Sequence, residues 1–230
     1  MFAFIFYGVF MENKPLVSCL MLTYNRFTPF KKAVQCFLDQ TYENKELIIV
    51  NSGDERYTKK ITDHIISILC DDNNIHLYNV DRTSIGNLRN IGLYNSNGEY
   101  VMVFDDDDYH HPQRIEKQIA PCLKSNIQGT ILRNFKAVYK NRIFPDKVYI
   151  CTMLPGLEGT LLFKKSDVRY PDMDQGEDTG FLKRLKEASN TILIIDEPYD
   201  MYHYNFYGKN TVSKSHFQEM IDDNDPLRSI

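Results

Sequence analysis

Apolar residues recur along the first half of the chain with two alternating periods. PLVSCLMLTY (15–24), ELIIV (46–50), IHLYNV (75–80) and EYVMVF (99–104) are short, nearly unbroken apolar runs with β-branched content. Runs of this length, bounded by turn-forming residues, predict buried strands. Between them the period lengthens to that of a helix. Phe30, Val34, Phe37 and Leu38 fall on one helical face, with Thr28 expected as N-cap and Pro29 at the first helical position. Ile61, Ile65, Ile68 and Leu69 repeat the spacing. SIGNLRNIGLYNS (84–96) predicts a third helix, capped by Ser84 and stopped at Asn97-Gly98.

Strands and helices that alternate with short connections imply βαβ units, a mostly parallel sheet and helices on both faces. The fold class is therefore α/β and Rossmann-like. Ligands of such sheets bind beyond the carboxyl ends of the strands. That rule gathers TYNR (23–26), NSGD (51–54) and DDDD (105–108) on one edge. The second half is mixed. A helix is expected from Pro112 and another over GEDTGFLKRLKEA (176–188). Short strand-like runs surround them, at GTILRNFKAVYK, KVYICTM, GTLLFKK, TILIID and the aromatic YDMYHYNFY. No repeat, low-complexity block or linker divides the chain, which predicts one domain.

Composition narrows the function. The 230 residues carry 27 basic and 31 acidic side chains, interspersed, for a net charge of −4. No basic stripe points to nucleic acid. Cys19, Cys36, Cys70, Cys122 and Cys151 are odd in number and never form CxxC. That disfavours a disulfide framework and a zinc site, and fits a reducing compartment. No run reaches the ~20 apolar residues of a membrane span. A cytoplasmic, soluble protein is expected, with a peripheral place at a membrane face left open. The apolar start MFAFIFYGVF is an extra strand or anchor, or lies upstream of a natural start at Met11, the reading preferred here.

Four consecutive carboxylates, Asp105 to Asp108, follow the fourth predicted strand. Carboxylates so close need a counter-charge. Mg²⁺ or Mn²⁺ supplies one, using one or two protein carboxylates, water and substrate phosphate oxygens. On an extended segment Asp105 and Asp107 point one way and Asp106 and Asp108 the other. The alternative is a solvated acidic loop that caps the helix after Pro112.

Several segments in fixed order are more specific than any one. PLVSCLMLTYNR, ELIIVNSGDE, GNLRNIGLYNSNGEYVMVFDDDDYHHP and GEDTGFLKRL together resemble the family 2 glycosyltransferases with the GT-A fold, over residues 15–210. The resemblance implies a nucleoside diphosphate sugar donor, a divalent metal (Mn²⁺ or Mg²⁺), a glycan, lipid-linked or protein acceptor, and inversion at the anomeric carbon. It implies a domain over 11–215, with a donor half at 11–110 and an acceptor half at 111–215, flanked by an extension (1–10) and a tail (216–230).

The implied roles follow the matching motifs. Asp107 is the first candidate for the metal, and Asp105 serves ribose or metal. Asp106 fills the variable position on the donor side, and Asp108 supports the loop or faces the acceptor. Asp106 and Asp108 are the two expected to tolerate change. Asp178 is the general base, with Glu177 as its fallback or as an acceptor contact. Thr23, Tyr24, Asn25 and Arg26 line the nucleotide pocket, and Arg89 reaches the nucleotide. Two departures stand out. Asn51-Ser52 replaces the family's paired aspartates before Gly53, and Asp54 is the available substitute. Tyr207 stands where relatives often carry a histidine before G-x-N-T, with His203 four residues earlier. His203, Asn205 and Tyr207 share a face of an extended segment. His203 is thus a metal candidate, against a hydrogen-bonded histidine among aromatics. His110 and His111 are expected as loop residues on the acceptor side, not a zinc pair.

A degenerate glycosyltransferase-like domain that binds without turnover is the alternative from another class. A nucleotidyltransferase would want glycine in LTYNRF, and an aspartate-nucleophile phosphatase would carry its D-x-D after the first strand.

Overall fold

The computed structural model describes residues 14–68, 74–125, 127–140 and 145–207, with 218 and 221. The apolar extension, Leu69, Cys70, GKNT (208–211) and nearly all of the tail lie outside the described residues. In chain order the elements are β1 (Val17–Thr23), α1 (Phe27–Leu38), β2 (Lys45–Asn51), α2 (Glu55–Ile68), β3 (Ile75–Asn79), α3 (Ile85–Asn95), β4 (Tyr100–Val103) and β5 (Tyr109–His110). There follow α4 (Arg114–Ser125), β6 (Gly129–Leu132), β7 (Asn134–Tyr139), β8 (Lys147–Thr152), β9 (Leu162–Lys164), α5 (Glu177–Glu187), β10 (Ile192–Ile195) and β11 (Tyr202–Phe206).

The main sheet has the order β10-β6-β9-β4-β1-β2-β3, and β9 runs antiparallel to both of its neighbours. Both faces are buried, which is why its strands read as continuous apolar runs. Val17, Cys19 and Met21 of β1 pack with α1, α2 and α4, whereas Leu20 packs with α3 and α5. A second sheet, β5-β11-β7-β8, covers the end of the first half.

Register sets the shape of the ligand edge. Thr23, Asn51 and Asn79 are aligned partners, so β1, β2 and β3 end flush. Val103 pairs with Leu20, so β4 stops three positions before the end of β1. The aspartate run therefore begins inside the edge, beside strands that continue past it.

Two expectations about α1 are corrected. The helix starts at Phe27, with Arg26 as N-cap and no side-chain cap. Phe30 N–H donates to Arg26 C=O (3.1 Å), which draws Thr28 and Pro29 into the first turn. Pro29 is tolerated there because first-turn N–H groups lack helical acceptors. Leu38 is exposed, and Ala33 takes its place on the buried face. Ser84 caps α3 as expected, accepting Asn87 N–H at 3.2 Å.

The opposite edge of the sheet is fastened by Glu46. Its buried carboxylate accepts from Ser18 Oγ (2.5 Å), Asn97 N–H (2.6 Å), Asn97 Nδ2 (3.0 Å) and Gly98 N–H (3.2 Å). Burial opposes its charge, but hydrogen bonds from Ser18 and Asn97 outweigh burial and hold its pKa below the ordinary 4.5. A depressed carboxylate stabilises the fold above its unfolded pKa and loses that contribution as pH falls through the folded value. Glu46→Gln is expected to lower the unfolding free energy at pH 7 by about 1–3 kcal/mol. The deficit should shrink below the ordinary glutamate range. Denaturant unfolding of both proteins across that range measures it, and a deficit that grows towards acid pH would refute this role.

Candidate active site

Each strand end contributes to one cluster. β4 hands over to the acidic turn while Phe104 N–H still donates to Leu20 C=O (3.0 Å). The chain then turns through Asp106 and Asp107 instead of continuing extended. The expected alternation of the four carboxylates is lost. Asp106 and Asp107 grip one guanidinium: Arg26 donates through one nitrogen to Asp106 Oδ1 (2.5 Å) and through the other to Asp107 Oδ2. Thr23 Oγ1 donates to Asp106 Oδ2 (2.6 Å) and contacts the Tyr57 hydroxyl.

The expected tolerance of Asp106 and Asp108 does not survive. Asp106 is fully buried, and both its oxygens are held, so it supports the loop rather than facing a substrate. Asp108 is buried and caps nothing after Pro112. Its Oδ1 accepts Asn205 N–H (2.7 Å) and its Oδ2 accepts the Tyr202 hydroxyl. Asn205 Nδ2 also donates to Asp107 C=O (2.9 Å), so three hydrogen bonds tie β11 to the acidic turn.

Asp105 goes to a different partner. Its side chain keeps 24% exposure, and Oδ1 accepts from Arg89 at 3.3 Å. Arg89 Nε donates to Glu177 Oε1, also at 3.3 Å. A buried arginine thus joins the first aspartate of the run to the start of α5. Asp105 Oδ2 faces Gly159, where an added Cβ would lie 3.6 Å away and 3.2 Å from the Tyr202 hydroxyl. Gly176, at φ +73°, turns the chain into α5. Glu177 is buried against Arg89, while Asp178 is half-buried with Oδ1 accepting Thr179 N–H (2.7 Å). Asp178 follows Glu177 directly in the first turn of α5, beside the Arg89–Glu177 contact.

The electrostatics follow from burial. Desolvation, with Asp107 adding to it, pushes Asp106 up to about 8 against the pull of Arg26. Desolvation and Asp105 push Asp107 up to about 6, again against Arg26. Burial and the neighbouring aspartates raise Asp108 well above the carboxylate range. Burial disfavours the charges of Arg26 and Arg89, but the carboxylates around them outweigh it and hold both protonated.

Other expected residues divide between the pocket and its supports. Tyr24 is exposed, and the Arg82 guanidinium lies 4.2 Å from its ring centroid. Asn25, at φ +52°, accepts Asp54 N–H through Oδ1 (3.1 Å). Asn51 turns inward: Nδ2 donates to Thr58 Oγ1 (2.8 Å) and Asn79 Oδ1 (2.9 Å), and Oδ1 accepts Gly53 N–H (2.9 Å). Asn51 is therefore a support and not a ligand contact. Asp54 Oδ1 accepts Tyr57 N–H (2.8 Å), capping α2. Ser52 is nearly buried at the end of β2. His203 lies against Asp200 (3.3 Å) and the Tyr109 ring, the aromatic alternative rather than the metal one. His110 is not a loop residue. It is fully buried on β5, stacked on Phe104 and contacted by Arg114. His111 accepts Gln113 N–H through Nδ1 (3.1 Å). Burial, Asp107 and Asp108 push the Tyr207 hydroxyl up to about 12, so Tyr207 borders the acidic turn.

Tyr57, Arg82, Gly159, Tyr170 and Tyr202 were not anticipated, and Asn205 was placed only on the face of His203 and Tyr207. Tyr57 shares the apolar face of Ile61, which hid its hydroxyl. Arg82 follows the end of β3, the one strand end that the sequence reading left out of the cluster.

The donor chemistry fits a hard divalent cation. Among the described residues no group of three or more His, Cys, Asp or Glu forms a cage. A cation held by one or two carboxylates and completed by water and phosphate oxygens needs none. Asp105 and Asp107 are the members of the run with those oxygens nearest solvent.

This fold and edge define a GT-A-type sugar-nucleotide enzyme. The model of glycosyl transferase family 2 matches residues 18–164, and the chain belongs to that family. It is a glycosyltransferase of the nucleotide-sugar-dependent class. An uncharacterized glycosyltransferase of Haemophilus influenzae is 27% identical over 91% of this chain and 86% of its own length. One from Rickettsia bellii is 30% identical over 64% of this chain but only 22% of its own length. Staphylococcus aureus TarS 1–349 in complex with UDP-GlcNAc superposes with a TM-score of 0.66 at 18% identity, over 89% of this chain and 64% of that one. The mannosyltransferase PcManGT of Pyrobaculum calidifontis, in complex with GDP-Man and Mn²⁺, gives 0.64 at 14% identity, over 90% and 60%. No helix among the described residues is long and apolar enough to cross a membrane.

Removing a partner from a buried, hydrogen-bonded carboxylate network is costly. Asp108→Ala is expected to cost about 3 kcal/mol of stability, because the Tyr202 hydroxyl and Asn205 N–H lose their acceptor. Asp178→Ala, whose contact is local, should stay within about 1 kcal/mol. Thermal unfolding of the two variants tests this, and equal stabilities would contradict it.

Proposed function

We propose that the protein is an inverting glycosyltransferase in which Asp178 is the general base. The observation that carries this reading is the division of labour at the start of α5. Glu177 is buried and committed to Arg89, whereas Asp178 is half-buried on the same cluster and retains a carboxylate for a substrate proton. In the reaction the Asp178 carboxylate accepts the proton of an acceptor hydroxyl. The hydroxyl oxygen bonds to the anomeric carbon on the face away from the diphosphate. The bond from that carbon to the diphosphate oxygen breaks, and its electron pair leaves with the nucleoside diphosphate. One displacement inverts the anomeric centre.

Asp107, with Asp105, would hold Mn²⁺ or Mg²⁺, which when bound neutralises charge on the leaving diphosphate. The UDP-GlcNAc and GDP-Man complexes of TarS and PcManGT, the latter with Mn²⁺, support a donor of this class. The donor half would be 11–110 and the acceptor half 111–215. Tyr24 and Ser52 would line the nucleotide pocket, with Arg26 and Arg89 as its cations. Burial and Asp178 raise the pKa of Glu177 against the pull of Arg89, but its Oε1 is occupied by the Arg89 Nε–H, which makes it the supporting group.

A positioned general base contributes about 10²–10⁴ in rate. Asp178→Asn should lose turnover on that scale while retaining calorimetric binding of UDP or GDP. A panel of UDP- and GDP-sugars, with product anomers read by NMR, supplies the assay. Retained anomeric configuration, or an unaltered Asp178→Asn rate, would overturn the mechanism. Nucleotide binding without turnover of any donor, even by hydrolysis, would favour a degenerate binding domain.

A further inference from the structure

Arg26 is more than a cation on the pocket wall. Its guanidinium holds two carboxylates that differ in exposure. Asp106 is fully buried and fixed from its other side by Thr23 Oγ1, itself in contact with the Tyr57 hydroxyl. Asp107 keeps 10% side-chain exposure, and Arg26 itself keeps 36%. One arm of the fork is an anchor. The other lies at the solvent edge, on a carboxylate that the functional reading assigns to the metal. A guanidinium nitrogen and a divalent cation that both approach Asp107 Oδ2 repel one another, so each weakens the other's hold on that oxygen.

We propose that Arg26 is a tethered counter-ion that competes with the divalent cation for Asp107 and is redirected to the donor's diphosphate when the cation binds. The inference rests on the glycosyltransferase reading above. Charge balance gives it direction. With both carboxylates ionised, Asp106, Asp107 and Arg26 sum to one negative charge and a divalent cation leaves one positive charge; with Asp106 protonated, as its burial favours, the cation leaves two. A diphosphate, which is multiply negative, is then the natural acceptor for the released arm of the guanidinium. Arginine suits such an exchange because its planar fork matches carboxylate and phosphate oxygens alike. Arg26 occupies the N-cap of α1, and its side chain keeps 36% exposure, so the fork already reaches solvent. The consequence is a coupling between cation and nucleotide, each favouring the other through one side chain.

The sign of one measurement separates this from a structural clamp. A clamp that only holds Asp106 and Asp107 in place would bind metal worse once removed. A competitor would bind it better. Mn²⁺ binding to the full chain is read by electron paramagnetic resonance of the free ion, with and without UDP or GDP. Arg26→Gln is expected to bind Mn²⁺ alone about 5-fold or more tightly than wild type, a coupling of ordinary size. The same variant should bind UDP or GDP about 10-fold more weakly in the presence of saturating Mn²⁺, having lost a charge-assisted contact. Arg26→Lys retains charge without the fork and should bind Mn²⁺ between the two, which covers the case in which Arg26→Gln does not fold. Mn²⁺ affinity unchanged or weakened in the variants overturns the competition while leaving the transferase reading intact. A wild-type protein that takes up no Mn²⁺ with or without nucleotide overturns both the competition and the assigned metal site.

Discussion

The active edge depends on one constraint: four adjacent carboxylates must be accommodated at the end of a buried strand. Like charges that close cannot all be ionised without compensation. The fold compensates with two arginines from opposite sides, Arg26 from the start of α1 and Arg89 from within α3. Residues about eighty positions apart are thereby fixed against each other. The short reach of β4, ending opposite Leu20, gives the turn room to swing Asp106 back to Thr23.

The same constraint joins the two sheets. Asp108 makes no ion pair with an arginine among the described residues and is satisfied by the Tyr202 hydroxyl and the backbone of Asn205. The second sheet is thus docked through the acidic run itself, and the two sheets share a wall. Asp105, Arg89 and Glu177 extend that wall to the start of α5. A buried ion pair contributes little net stability, because desolvation offsets attraction. Its value here is positional. It holds one carboxylate near the solvent edge of the run and leaves Asp178, which accepts the neighbouring Thr179 N–H, outside the ion-pair network among the described residues.

Much of this was legible in the residues. The continuous apolar runs of β1, β2 and β4 announced strands buried on both faces, and the helical period between them announced the crossovers. Grouping TYNR, NSGD and DDDD on one edge required only the rule that parallel strands end together. The start of α1 was misread because Thr28-Pro29 is a strong local signal, whereas the actual cap, Arg26, is drawn by charges eighty positions away. His110 looked like loop chemistry because nothing local shows a ring stacked on Phe104. Asn51 looked like a pocket residue because its partners, Thr58 and Asn79, lie on other elements.

The sequence by itself determined the architecture, the family and which segments meet. Hydrophobic period and strand order are local properties repeated along the chain, and the motifs keep a fixed order. Only the tertiary structure decided what each carboxylate does. Four identical side chains in a row have the same local chemistry, so their roles come from what surrounds them. Arg26 takes Asp106 and Asp107, β11 takes Asp108, and Arg89 takes Asp105. Burial and partner charge are properties of the folded neighbourhood, and no reading along the chain contains them.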